Sequence, residues 1–127
     1  MIARIFLGLE AVLFIPYGLY CLVNPGFLAE AAGVTATSIT GTIEIQAMYG
    51  GLEAALGVLC ALGAMRLSMR RPALIALLFC FSGLAIPRVT LALMHGDMSS
   101  YTVSAMILEV GSAVCAFYLL SKEVVQP

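Results

Sequence analysis

Four long apolar stretches, separated by short polar segments, make up most of the 127-residue chain. Each stretch holds about 20 residues, which is the length that a helix needs to cross the hydrocarbon core of a bilayer. The pattern therefore predicts an all-α fold, an integral membrane bundle of four transmembrane helices. The predicted spans are residues 3–23, 42–65, 73–94 and 101–120, in a single domain over residues 1–127.

The segments between the spans carry turn and capping signals. The run Asn24-Pro25-Gly26 ends the first span, and residues 27–32 are predicted to form a short interfacial helix that Gly33 ends. Thr42 is the predicted N-cap of the second span. Residues 66–72 contain three arginines and are predicted to form a compact basic loop.

Composition supports the membrane prediction. Hydrophobic residues make up 62% of the chain and charged residues only 10%, whereas a soluble domain averages about 25% charged residues. The net charge of -1 and the lack of a basic stripe exclude nucleic acid as a partner. The lipid bilayer is therefore the predicted environment of the protein.

The cations outside the spans predict the orientation. All five fall on one side of a four-span chain, and the connections 24–42 and 95–100 contain no Lys or Arg. The positive-inside rule then places both termini in the cytoplasm. The first span also admits the interpretation of a cleaved secretory signal, but its length and the presence of Glu10 favour a retained span. These five cations are Arg4, Arg66, Arg70, Arg71 and Lys122.

Ionisable residues inside the spans indicate where the protein works. Charged groups at membrane depth are energetically costly, so they normally face the protein interior, pair with one another and mark a functional path. A rise of 1.5 Å per residue places Arg88 roughly 9 Å and Glu109 roughly 12 Å from the predicted outer helix ends. Because a short turn makes these two spans antiparallel neighbours, we predict an Arg88–Glu109 ion pair.

Helical spacing gathers further polar residues near this depth. Gln46, Gly50, Glu53 and Gly57 share one face of the second span, since they are spaced by three and four residues. We predict two groups of site residues. The candidate catalytic residues are Glu109, Arg88 and Glu53, and the candidate ligand-binding residues are Tyr49, Gln46 and Tyr17.

The residues that commonly hold cofactors form no strong motif. The four cysteines lie singly on different spans and no CxxC pair exists. His95 lies near Met94 and Met98, but three residues on one turn make a weak ligand set. No cofactor and no metal site are predicted.

The run Gln46-Ala47-Met48-Tyr49-Gly50-Gly51-Leu52-Glu53, with Arg88 late in the third span and Glu109 within the fourth, resembles a known family. It is similar to the bacterial domain-of-unknown-function family numbered 4345, small four-helix membrane proteins loosely related to the DoxX-like group. The resemblance implies the fold, the topology and a multi-pass position in the bacterial cytoplasmic (inner) membrane. It brings no catalytic residues with it.

The sequence leaves several functions open, and whether the protein is an enzyme is among the open questions. The first is a site for a small lipophilic molecule, which the protein binds or converts by acid–base chemistry such as isomerisation or epoxide opening. The second is a non-catalytic structural or assembly subunit of a membrane complex, whose charges serve as interhelical pairs. Transport through a homo-oligomer is a third.

Overall fold

The computed structural model describes residues 1–122, and within this part of the chain the fold is entirely helical. The all-α prediction is confirmed. The elements in chain order are α1 (Ile2–Val23), α2 (Phe27–Ala32), α3 (Ile39–Ile45), a π-helix (Gln46–Leu52), α4 (Glu53–Met65), α5 (Leu67–His95) and α6 (Ser100–Lys122).

Four helices are long and apolar enough to cross a membrane, as the sequence predicts. They are Ile2–Val23, Ile39–Met65, Leu67–His95 and Ser100–Lys122. The helix Ile39–Met65 consists of α3, the π-helix and α4, which follow one another without a break. The cytoplasmic position of the termini and the single-domain organisation stay predictions.

The connections follow the sequence signals in part. The short helix at residues 27–32 is confirmed, and Gly33 ends it in the left-handed conformation with φ 69°. The second span begins three residues before the predicted start, because Ser38 caps α3 by accepting a hydrogen bond from the Gly41 N–H at 3.1 Å. Thr42 lies inside α3, where its hydroxyl donates to the Ser38 carbonyl.

The prediction of a basic loop at residues 66–72 is wrong. Arg66 is the only residue between α4 and α5, and it has an extended backbone. The residues that follow it, Leu67 to Arg71, are mostly good helix formers. Pro72 removes one helical hydrogen bond near the helix start, and the helix continues through it.

Contacts divide the chain into two compact units, one covering Met1–Arg70 and one beginning at Arg71. In the first unit, α1 packs closely against the π-helix and α4. Glycines make this approach feasible: a Cβ atom on Gly18 would lie 2.6 Å from the Gly50 carbonyl oxygen, and one on Gly57 would lie 2.7 Å from the Ile15 backbone nitrogen. Small residues let two membrane helices bring their backbones together in this way.

The second unit contains α6 and most of α5. These helices approach each other less closely than α1 and α4 do. Gly96 ends α5 with φ 69° and begins a tight turn in which the Asp97 N–H donates to the Ala92 carbonyl at 3.0 Å. The turn is short, so the C-terminal half of α5 and the N-terminal half of α6 run side by side in opposite directions.

Candidate functional site

Arg88 and Glu109 form the central polar contact of the second unit. The Arg88 Nε atom donates to both carboxylate oxygens of Glu109, at 2.8 and 3.0 Å, and Nη2 donates to Oε1 at 2.8 Å. Arginine can make this forked contact because its N–H groups are fixed in one plane, whereas lysine offers only a point charge. The structure thus brings together the two residues that the sequence predicts to pair.

The two partners differ in their exposure. The Glu109 side chain is 6% exposed and the Arg88 side chain 28% exposed. Ser112, one turn after Glu109, is also buried, so this face of α6 carries two polar groups away from the surface. The buried carboxylate therefore balances a guanidinium that is still accessible.

The accessible side of Arg88 lines a cavity of about 460 Å³. This cavity is an open groove along the C-terminal half of α5, and its outer end reaches the turn before α6. Its apolar wall consists of Leu84, Pro87, Leu91 and Ala92. The polar lining residues are Arg88, His95, Asp97 and Thr102.

The mouth of the groove is held by hydrogen bonds that the sequence reasoning missed. Asp97 accepts from the Thr102 hydroxyl at 2.7 Å and from the Ser99 N–H at 3.0 Å. These hydrogen bonds, chiefly the one from Thr102, hold the pKa of Asp97 below its ordinary value. The signal was present in the sequence, because an Asp or Ser shortly before a helix start is a common cap.

The remaining predicted site residues lie in the first unit. The Gln46 Nε2 atom donates to the Leu22 carbonyl oxygen at 2.5 Å, near the C-terminal end of α1. Carbonyls in the last turn of a helix have no helical partner, so Gln46 acts as a side-chain cap for α1. This contact accounts for Gln46 without a ligand, and its ligand-binding role stays a prediction.

Tyr17 and Glu53 both lie near Cys21, at the contact between α1 and α4. The Tyr17 side chain is a hydrogen-bonding neighbour of the buried Cys21 thiol, and Cys21 is also close enough to Glu53 to interact with its charge. Tyr49 is half-buried within the π-helix. Glu10 is buried on α1. The structure thus places both Tyr17 and Glu53 in the surroundings of one buried thiol, and their binding or catalytic roles stay predictions.

The π-helix is the feature of the second span that the sequence did not reveal. It covers Gln46–Leu52, almost the whole run that carries the family resemblance. Segments of π-helix are rare and are frequent at functional sites. The adjacent Gly50 and Gly51 are the sequence signal for irregular helix at this point, since glycine weakens a regular α-helix.

No group of three His, Cys, Asp or Glu side chains within residues 1–122 is placed to hold a metal ion. Cys21 and Cys60 are buried, and Cys80 and Cys115 are exposed.

Comparison with known proteins gives one match. The model of a family described as a domain of unknown function, DUF4345, matches residues 2–120. No curated protein and no solved structure shows significant similarity to the chain. The match covers all four apolar helices except the last two residues of α6. The chain therefore belongs to the DUF4345 family.

Proposed function

We propose that the groove beside the Arg88–Glu109 pair binds a small lipophilic molecule that carries a neutral, oxygen-bearing head. The observation that supports this proposal is the asymmetry of the pair: Arg88 lines the groove and is partly exposed, whereas Glu109 is buried behind it. A guanidinium whose charge is already balanced thus lines a groove that has one apolar wall.

The size and lining of the groove suit such a ligand. Sites for small molecules are mostly apolar clefts of about 300–1,000 Å³ with a few polar groups that orient the ligand. The groove has a volume of about 460 Å³, with Leu84 and Leu91 among its apolar lining residues. A hydrocarbon body therefore fits against the leucines while its polar end contacts the guanidinium.

Charge balance determines which head is favoured. An anionic head would have to compete with Glu109 for Arg88, and both Glu109 oxygens already accept hydrogen bonds from it. A cationic head beside Arg88 would face the guanidinium charge, and Asp97, the acid in the lining, already accepts hydrogen bonds from Ser99 and Thr102. A carbonyl, hydroxyl or epoxide oxygen accepts a hydrogen bond without displacing Glu109, so this class of head is preferred.

The same contacts favour binding over acid–base conversion of the ligand. Arg88 engages both oxygens of Glu109, and a carboxylate that abstracts or delivers a proton must bring one oxygen to the reacting atom. Isomerisation or epoxide opening by Glu109 would therefore first require Arg88 to move. Binding needs no such step.

A matched pair of variants tests the proposal. Leu91→Trp places a large side chain on the lining of the groove, whereas Leu93→Trp changes a similarly exposed residue that does not line it. The full-length protein is labelled in detergent with a hexadecanol probe that carries a photoreactive diazirine. We expect labelling of wild type and Leu93→Trp, and a reduction of about tenfold in Leu91→Trp, as expected for the loss of one or two contacts.

A hexadecanoic acid probe with the same diazirine tests the preference for a neutral head. We expect it to label α5 less than the alcohol probe does. The proposal is wrong if the two leucine variants are labelled equally, and the charge argument is wrong if the acid labels α5 as strongly as the alcohol.

A second candidate function is structural, and the geometry of the pair favours it. Three hydrogen bonds between Arg88 and Glu109 join α5 to α6, where the two backbones make few close approaches. A non-catalytic subunit of a membrane complex, or of a homo-oligomer, needs such a tie and no ligand. Equal labelling of both leucine variants, together with normal accumulation in the membrane, supports this function.

We also propose that the protein is a multi-pass component of the bacterial cytoplasmic membrane with both termini in the cytoplasm. The distribution of Arg4, Arg66, Arg70, Arg71 and Lys122 supports this orientation. Fusion of alkaline phosphatase to the C-terminus is expected to give no activity, whereas fusion within the turn at Gly96 gives activity. The reverse pattern contradicts the orientation.

A further inference from the structure

The junction between α4 and α5 concentrates positive charge without a compensating acid. Arg66 lies between the two helices, and Arg70 lies in the first turn of α5. The first turn of α5 contains no acidic residue, and no Asp or Glu occurs anywhere between Glu53 and Asp97. We propose that Arg66 and Arg70 bind the phosphate group of an anionic phospholipid. This proposal is independent of the groove beside Arg88.

The electrostatics of the helix start call for an anion. The N-terminal end of a helix carries a partial positive charge, so acids stabilise it and cations destabilise it. Here Arg66 and Arg70 add full positive charges to that end. A phosphate bound by the two arginines offsets this unfavourable charge.

One atom of the half-buried Arg70 gives an independent observation that points the same way. Its Nε atom is buried and has no hydrogen-bond partner within residues 1–122. Buried polar groups are nearly always hydrogen-bonded, and a charged donor without an acceptor is especially unfavourable. Arginine binds phosphate oxygens in a forked geometry through Nε and a terminal nitrogen, so a phosphate supplies the missing acceptor.

The surroundings identify the source of the phosphate as a lipid rather than a free ion. Met65 and Leu67, on either side of Arg66, are 71% and 75% exposed. Exposed apolar side chains beside a cation suit a molecule that has both acyl chains and a charged head. With 29 residues, α5 is about 44 Å long, which exceeds the roughly 30 Å of the hydrocarbon core. One end of α5 therefore reaches the headgroup region, where basic clusters bind anionic lipids.

Native mass spectrometry of the full chain in detergent tests the proposal, with phosphatidylglycerol and phosphatidylcholine of the same acyl chains as probes. Wild type is expected to bind one phosphatidylglycerol about tenfold more tightly than phosphatidylcholine. The double variant Arg66→Gln, Arg70→Gln should lose this preference. The matched control Arg4→Gln, Lys122→Gln removes the same charge elsewhere and should keep it.

Two further measurements rely on wild type alone, so they stand even if a variant does not fold. The preference for phosphatidylglycerol should fall on raising the salt concentration from 50 to 500 mM, because screening weakens a charge contact. Inorganic phosphate at the same concentration as the lipid should not compete. Effective competition by phosphate, no lipid preference in wild type, or equal loss in both double variants overturns the proposal.

Discussion

The ion pair between Arg88 and Glu109 provides the sharpest test of how this fold tolerates charge in an apolar chain. Glu109→Gln keeps the size of the side chain and one acceptor but removes the negative charge. Breaking a buried pair from one side typically destabilises a protein by about 3–5 kcal/mol. Since the Arg88 side chain is 28% exposed, solvent offsets part of this loss. We expect Glu109→Gln to lower the free energy of unfolding by about 2 kcal/mol.

Removing the other partner of the pair, Arg88, should destabilise the protein more. Arg88→Gln leaves the negative charge of Glu109, which is 6% exposed, without its guanidinium. We expect a loss of about 3 kcal/mol, near the lower limit for an uncompensated buried charge. The double variant replaces the ions with two amides that can hydrogen-bond to each other, so its loss should be only about 1 kcal/mol. The two changes are therefore strongly non-additive.

Reversible unfolding in mixed micelles of mild detergent and SDS measures these free energies, with helical circular dichroism as the signal. Glu44→Gln serves as the control, because Glu44 is exposed near the start of the second span and should change stability by less than about 0.5 kcal/mol. Independent sites add within about 0.5 kcal/mol. If the single losses sum to the loss in the double variant within that limit, the energetic coupling of the pair is refuted.

Three further changes test other contacts. Gly18→Ala forces a Cβ atom against the backbone of the second span and should lower the free energy of unfolding in SDS by about 2–3 kcal/mol. The control Gly8→Ala adds a Cβ atom that meets nothing within 4 Å, so it should be neutral or slightly stabilising. Gln46→Ala removes the donor to the Leu22 carbonyl and should destabilise the protein by about 1 kcal/mol. Gln46→Asn keeps an amide on a shorter side chain, so full stability of this variant would contradict a need for the longer side chain. Because hydrogen bonds lower the pKa of Asp97, its stabilisation is present above the ordinary value of 3.8 and disappears as pH falls through the folded value. Acidification should therefore destabilise wild type more than Asp97→Asn in thermal unfolding, and parallel profiles would contradict this.

The features that depend on local pattern could be predicted from the sequence. Hydropathy locates four helices long enough to cross a membrane, and the breaker at residues 24–26 and Gly33 bound the short helix α2. Matching depth on adjacent spans is enough to pair Arg88 with Glu109, because a charge in an apolar environment strongly favours a nearby partner.

The features that depend on helix phase and on tertiary contact could not be predicted. A strict 3.6-residue period assumes regular α-helix, so it gives no warning of the π-helix at Gln46–Leu52. The sequence predicts a ligand contact for Gln46 because it is polar and shares a helix face with Glu53, but whether it caps α1 depends on the distance to Leu22, 24 residues away in the chain. The groove beside Arg88 depends on how the side chains of α5 and of the turn before α6 pack, and hydropathy does not report this.

The π-helix determines which kinds of evolutionary change the second span can accept. Each π-helical N–H bonds to a carbonyl five residues back, one residue further than in an α-helix. Deleting one residue from this segment can thus be absorbed by conversion to α-helix with α3 and α4 kept in phase, whereas deleting one residue from α4 turns the preceding part of the span by about 100°. That rotation carries Gln46 away from Leu22 although the hydropathy of the span is unchanged. The second span should therefore tolerate the loss of one residue between Gln46 and Glu53 better than the loss of one residue within Glu53–Met65.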